Sequence, residues 1–146
     1  MALEIKIKKI NLDAILPNYV HKGDAGMDLF SCENYILSSG ERKLFGLGLK
    51  VEIPEGYEMQ IRPKSGLTLK YGITVLNTPG TIDSCYRGEV GVILINHGND
   101  DYEIRKGEKI AQAVINKVEI VEIIEVEELS DSSRGKGGFG STGLTK

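Results

Sequence analysis

Short apolar runs of period two, broken at roughly ten-residue intervals by turn residues, constrain this chain most. Leu3, Ile5 and Ile7 alternate with Glu4, Lys6 and Lys8. Leu47, Leu49, Val51 and Ile53 alternate with Gly48, Lys50 and Glu52, and Tyr57, Met59 and Ile61 with Glu58 and Gln60. A strand turns successive side chains to opposite faces, so this period describes half-buried strands and not helices. Turn chemistry fills the gaps: Ser38-Ser39-Gly40-Glu41, Pro54-Glu55-Gly56, His97-Gly98-Asn99-Asp100 and Lys106-Gly107-Glu108. Many short strands of this kind predict an all-β sandwich, jelly roll or barrel.

Two segments could be helical. Ser65 to Tyr71, stopped by Gly72, reads as one or two turns with a serine near the cap. Val118 to Leu129 alternates Glu with aliphatic residues, and its β-branched content favours a strand. From Ser130 the composition changes to a glycine-rich run that cannot form a core. The chain therefore divides into a β domain over 1–129 and a flexible arm over 130–146. Phe139 is a lone aromatic among the arm's glycines, with Arg134 before it and Ser141-Thr142 after it. A solubilising tail needs none of these, whereas a tail that folds over a phosphorylated, ring-containing ligand uses all of them.

With 146 residues, one domain is expected, long enough to bury a core without staples. A net charge of −3 argues against non-specific nucleic-acid binding, though one basic pocket for a nucleotide remains compatible with it. Cys32 and Cys85 are far apart and in no metal-type spacing, as expected of free thiols in a reducing compartment. The alternating N-terminus is not a signal peptide, and no apolar run approaches membrane-spanning length. These features predict a cytoplasmic protein without membrane or nucleic-acid partners.

The densest chemistry lies in Gly80-Thr81-Ile82-Asp83-Ser84-Cys85-Tyr86-Arg87-Gly88-Glu89, after Asn77-Thr78-Pro79. Asn77 and Asp83 are expected on opposite arms of a hairpin, whose backbone could face the edge of a flat base. Asp83 would be a general base and Tyr86 a packing surface for a sugar. Arg62-Pro63-Lys64-Ser65-Gly66-Leu67 places a cation and a hydroxyl where a helix begins, a position that suits phosphate. It lacks the longer glycine loop of a Walker motif, and an ordinary capped turn explains it equally well in isolation. Asp28, in Asp24-Ala25-Gly26-Met27-Asp28-Leu29, could face a hydrated metal ion, and Gln112 stands among small residues at a strand start. For these two, a turn aspartate and a buried glutamine are the simpler readings taken alone. His21 and His97 have no partner at ligand spacing, and no Ser–His–Asp order or zinc spacing exists.

Taken in order and spacing, these five segments resemble the five motifs of the homotrimeric dUTP pyrophosphatases, from about Pro17 to Gly143. The Ile82-Asp83-x-x-Tyr86-Arg87-Gly88 run and the Arg134-Gly135-Lys136-Gly137-Gly138-Phe139-Gly140-Ser141-Thr142-Gly143 run carry the resemblance most specifically. The resemblance implies a jelly-roll subunit, a threefold trimer with sites at subunit interfaces, and a third subunit's arm closing each site. It implies hydrolysis of dUTP to dUMP and pyrophosphate, with Asp83 polarising the water that attacks the α-phosphorus. Asn77, Gly80, Thr81 and Ile82, with Gly91 nearby, would read uracil, and Tyr86 would lie under the deoxyribose. Lys64, Ser65, Gly66 and Gln112 would hold the phosphates. Asp28 would touch waters on a Mg²⁺ carried by those phosphates. Arg134 would reach the phosphates, Phe139 would cover the base, and Gly140, Ser141 and Thr142 would close on the terminal phosphate. Lys64 stands where the family more often has Arg, Cys85 where Asp or a small residue is frequent, and Met27 where Tyr is frequent. A dCTP deaminase on the same fold and a catalytically silent nucleotide-binding regulator are the alternatives. The intact arm and Asp83 weigh against both.

Overall fold

The computed structural model describes residues 2–145. In chain order its elements are β1 (Lys6–Lys9), β2 (Met27–Phe30), β3 (Tyr35–Leu37), β4 (Arg42–Glu52), β5 (Tyr57–Arg62), α1 (Ser65–Tyr71), β6 (Ile73–Val75), β7 (Gly80–Ile82), β8 (Glu89–Asn96), β9 (Tyr102–Ile104) and β10 (Lys109–Lys117). One sheet has the order β1-β4-β8-β6, a second β2-β10-β5-β7, and β3 pairs with β9. All pairings are antiparallel, which the chain's alternating pattern requires when one face is buried and the other is not. Strands and one short helix make this the expected all-β, jelly-roll-like architecture.

The core lies between the two larger sheets. Phe45, Leu47, Leu49 and Val51 of β4 and Val90, Val92 and Leu94 of β8 are buried from one side. Met59 and Ile61 of β5 and Ile110, Ala111 and Ala113 of β10 are buried from the other. Burying the larger of these side chains, from Val to Phe, is worth about 1.5–3 kcal/mol each, so the alternation selects the register as well as the fold. Asn96 ends β8 inside this core with its polar atoms satisfied: its amide donates to the carbonyls of Leu37 and Asp100 and its oxygen accepts from the Gly98 N–H.

Two sequence expectations change. Val118 to Leu129 forms no strand; β10 ends at Lys117, and Ile120, Ile123 and Leu129 are almost wholly exposed. Strand propensity measures fit to a half-buried pleated surface, and within the single chain no sheet edge receives this segment. The expected hairpin through Pro79 is also absent: β6 belongs to one sheet and β7 to the other, so the connection crosses between layers. The helix expected over Ser65–Tyr71 is present, with Ser65 next to its N-cap. Lys64 occupies that position in extended conformation without a side-chain cap, and Gly72 ends α1 at φ 72°, as expected.

Candidate active site

A cleft of about 500 Å³ opens where β7, the turn after it and the middle of β4 and β8 meet. It gathers Asn77, Gly80, Thr81, Ile82, Asp83, Tyr86 and Gly91, all singled out from the sequence. Leu44, Gly46, Ile61, Glu89 and Ile93 complete the wall.

Local structure explains the arrangement. Ile82 is buried and anchors the end of β7, so Asp83 leaves the sheet at the next residue and is exposed. The Asp83 carbonyl accepts the Tyr86 N–H at 3.1 Å, which closes a tight turn. Arg87 braces that turn by donating to the carbonyls of Ser84 and Tyr86, at 2.7 and 2.9 Å. The Tyr86 hydroxyl donates to the Glu89 carbonyl at 2.9 Å, and the ring lies so close to Gly88 that a Cβ there would collide with the hydroxyl oxygen. Tyr86 is thus held as a half-exposed platform beside Asp83.

The floor of the cleft depends on glycine. Gly46 and Gly91 face each other across β4 and β8. A Cβ at Gly91 would meet the Leu44 Cδ1 at 2.7 Å, and one at Gly46 would meet the Glu89 carboxylate at 2.7 Å. That carboxylate accepts the Gly48 N–H at 2.9 Å, inside the irregular stretch of β4 between Gly46 and Lys50. Glu89 therefore fixes the bulge that shapes the wall. Sequence reading passed over it, although it directly follows Gly88, and the glycines inside β4 were the available signal for a bulge.

The phosphate candidates form a second cluster. Asp28, Gln112 and Arg62 lie in one row across β2, β10 and β5, and the next row runs Met27, Ala113, Ile61, Gly80. The Gln112 amide donates to the Pro63 carbonyl at 2.9 Å, and its oxygen occupies the space that a Cβ on Gly26 would need. Ser65 and Gly66 follow Lys64 at the start of α1, both exposed. Asp28 lies buried within this cluster. It is 3% exposed, with Lys64 Nζ 2.5 Å from Oδ1 and Lys109 Nζ 2.7 Å from Oδ2. Burial raises its pKa, but the Lys109 and Lys64 ammonium groups beside it outweigh that and hold the carboxyl below the usual aspartate value. A divalent ion at Asp28 would face two ammonium groups, and no group of three His, Cys, Asp or Glu able to hold a metal exists among the described residues. The residues present do not fit a protein-held Mg²⁺.

The arm is separate from both clusters. Phe139 is fully exposed at φ 51°, and Arg134 Nε donates to the Gly137 carbonyl at 2.8 Å. Gly140, Ser141 and Thr142 are exposed as well, in turns closed within the arm. Within one chain the structure therefore brings Asn77, Gly80, Thr81, Ile82, Asp83, Tyr86 and Gly91 together, assembles Asp28, Lys64 and Gln112 nearby, and leaves Arg134 to Thr142 apart.

The fold and site define an all-β protein with an open cleft beside a cluster of Asp28, Lys64, Lys109 and Gln112. The family model described as dUTPase matches residues 13–143. The deoxyuridine 5'-triphosphate nucleotidohydrolase of Clostridium acetobutylicum is 58% identical over 144 residues, covering 99% of both chains. That of Nautilia profundicola is 64% identical over 116 residues, covering 80% of this chain and 82% of its own. Among solved structures, Staphylococcus bacteriophage 80alpha dUTPase with dUPNHPP superposes with a TM-score of 0.90 at 31% identity, covering 97% of this chain and 99% of that one. A dUTPase of phage phi11 of S. aureus, described with the coordination of a structural Mg(II) ion, superposes with a TM-score of 0.81 at 27% identity, covering 88% of this chain and 99% of that one. The chain belongs to the dUTPase family.

Proposed function

We propose that this protein hydrolyses dUTP to dUMP and pyrophosphate. The observation that carries the reading is the position of Asp83: it emerges from an edge strand beside a tyrosine platform, at the rim of a cleft whose floor is glycine. As the outer strand of its sheet, β7 offers N–H and C=O groups on its free edge, and a uracil edge can pair there as another strand would. Asn77 adds an amide at the same end. A site that pairs with uracil rejects cytosine because the exchanged donor and acceptor are left unpaired. Tyr86, pinned through its hydroxyl to Glu89, packs against the sugar and leaves no space for a 2′-hydroxyl.

In the reaction, Asp83 accepts a proton from water as the water oxygen bonds to the α-phosphorus. The bond from that phosphorus to the bridging oxygen breaks, and pyrophosphate leaves with its electron pair. Lys64, Ser65, Gly66 and Gln112 hold the phosphate chain, so most of the catalysis is positioning and charge neutralisation. Mg²⁺ arriving with the triphosphate supplies further neutralisation of its charge. Arg134 and Phe139, with Gly140, Ser141 and Thr142, close as a lid over phosphates and base.

The active form in this reading is a homotrimer. The cleft and the arm do not meet within one chain, and exposed Ile120, Val121, Ile123 and Ile124 form an apolar stretch too long to be left in water. No helix among the described residues is long and apolar enough to cross a membrane, and a cytoplasmic site of action fits the nucleotide substrate. Replacement of Asp83 by Asn tests the mechanism: kcat should fall about 10²–10⁴-fold, while a non-hydrolysable dUTP analogue binds as before. Near-normal turnover by Asp83→Asn would remove Asp83 as the base.

A further inference from the structure

We propose, on the basis of the dUTP reading, that Glu89 is a positioning residue for the reaction. It ties the turn that carries Asp83 and Tyr86 to the bulge of β4, and so fixes where those two side chains stand relative to the glycine floor. Glu89 makes two contacts that lead to different parts of the site. Its carbonyl accepts the Tyr86 hydroxyl at 2.9 Å, and its carboxylate Oε1 accepts the Gly48 N–H at 2.9 Å. Since the Tyr86 N–H is also held by the Asp83 carbonyl, Asp83 to Glu89 form one closed unit. The carboxylate joins that unit to the facing strand.

The register shows why a side chain is needed there. From the pair Gly46–Gly91 to the pair Lys50–Glu89, β4 advances four residues and β8 only two. Gly48 falls inside the bulge, where no residue of β8 stands opposite it. The Glu89 carboxylate takes the place of the strand carbonyl that its N–H would otherwise find.

Two glycines make room for these contacts. Neither Gly46 nor Gly88 has a left-handed φ, so backbone conformation does not demand glycine at either position. A Cβ at Gly46 would lie 2.7 Å from Glu89 Oε1, and one at Gly88 would collide with the Tyr86 hydroxyl. The negative charge itself has no fixed partner. Lys50 stands opposite Glu89 in the register, yet among the described residues Glu89 forms no salt bridge. What the arrangement uses is an acceptor oxygen at a fixed place. A displacement of about 1 Å in reacting groups can cost on the order of 10²-fold in rate, so Glu89 acts on the chemistry through Asp83 and Tyr86.

The test measures kcat, and the kcat/KM ratio of dUTP to UTP, for Glu89→Ala, Glu89→Gln, Gly46→Ala and the double variant Gly46→Ala/Glu89→Ala. Thermal unfolding midpoints are recorded alongside. Glu89→Ala should lower kcat about tenfold and the preference for dUTP over UTP about tenfold, as Asp83 and Tyr86 shift together. Glu89→Gln keeps an acceptor oxygen for Gly48 and should stay within about threefold of wild type in both. Gly46→Ala pushes the carboxylate off Gly48 from the other strand, so it should reproduce the Glu89→Ala losses. The double variant should be no worse than Glu89→Ala, because the two changes break one contact. A lowered midpoint with kcat and preference unchanged in Glu89→Ala would make Glu89 structural only and overturn the inference. Losses in Glu89→Gln as large as in Glu89→Ala, or losses that multiply in the double variant, would overturn it too. Should Glu89→Ala not fold, Gly46→Ala and Glu89→Gln decide. A wild-type protein that neither binds nor hydrolyses dUTP would overturn the proposed function itself; wild-type turnover with an unaffected Glu89→Ala overturns only the role of Glu89.

Discussion

Replacing Gly48 by alanine should destabilise the protein by about 2–5 kcal/mol, the sum of a backbone cost and an overpacking cost. Gly48 has φ +66°, and a Cβ there would lie 2.6 Å from the Asn11 Cβ and 3.0 Å from the Ala14 Cβ. The left-handed backbone alone costs a non-glycine residue roughly 1–2 kcal/mol. Overpacking a site that cannot give way adds about 1–3 kcal/mol. Ala14 is buried and Asn11 sits on a turn closed by the Ala14 N–H, so neither neighbour yields freely. Gly40 supplies the control, since it has φ +79° and nothing within 4 Å of the position a methyl group would take. Gly40→Ala should show the backbone cost alone. Thermal unfolding at one fixed protein concentration should show a midpoint drop of about 5–15 °C for Gly48→Ala and a clearly smaller one for Gly40→Ala. Equal drops would refute the close approach of the N-terminal loop to β4. Because Gly48 also donates to Glu89 at the cleft wall, the unstable variant should lose substrate affinity before it loses its fold.

Deleting the chain from Arg134 onward, or changing Phe139 to Ala, should cut turnover sharply with the oligomeric state unchanged in sedimentation; unaltered kinetics would remove the lid role. A maleimide should modify exposed Cys85 quickly and Cys32 slowly, because the Cys32 thiol donates to the Leu47 carbonyl at 3.0 Å, and burial, with Asp13 adding to it, pushes its pKa up. A bound dUTP analogue should slow the Cys85 reaction, as it lies between Asp83 and Tyr86; mass spectrometry of the labelled sites reads both. The lowered pKa of Asp28 means that its paired form stabilises the fold at all pH above the ordinary aspartate value near 3.9. That contribution is lost as pH falls through the depressed folded value, so Asp28→Asn should flatten the acid limb of the stability curve. An unchanged acid limb would show that the two ammonium contacts do not persist in solution.

The parts of the fold legible in the sequence were those that alternation alone decides. Leu47, Leu49, Val51 and Ile53 are all buried, as their spacing required. The composition of Val118 to Leu129 misled because β-branched alternation says that a face can be buried, not that an edge is there to bury it. The Pro79 connection misled because a tight turn looks the same whether its arms pair or separate into two sheets. In the site, the residues from Asn77 to Tyr86 were legible because one local segment carries them. Lys109 was not, since a one-residue bulge sets its face, and β10 has no glycine to mark that bulge. Glu89 was missed for a related reason: its partner, Gly48, is forty-one positions away. The pairing of Asp28 with two lysines depends on three elements that only the tertiary fold unites.

The most direct test of the central claim is product analysis after incubating the protein with Mg²⁺ and, separately, dUTP, dCTP, dTTP and UTP. Pyrophosphate and dUMP from dUTP, with little or no turnover of the other three, is the predicted result. Ammonia from dCTP, or binding of dUTP without turnover of any nucleotide, would contradict it.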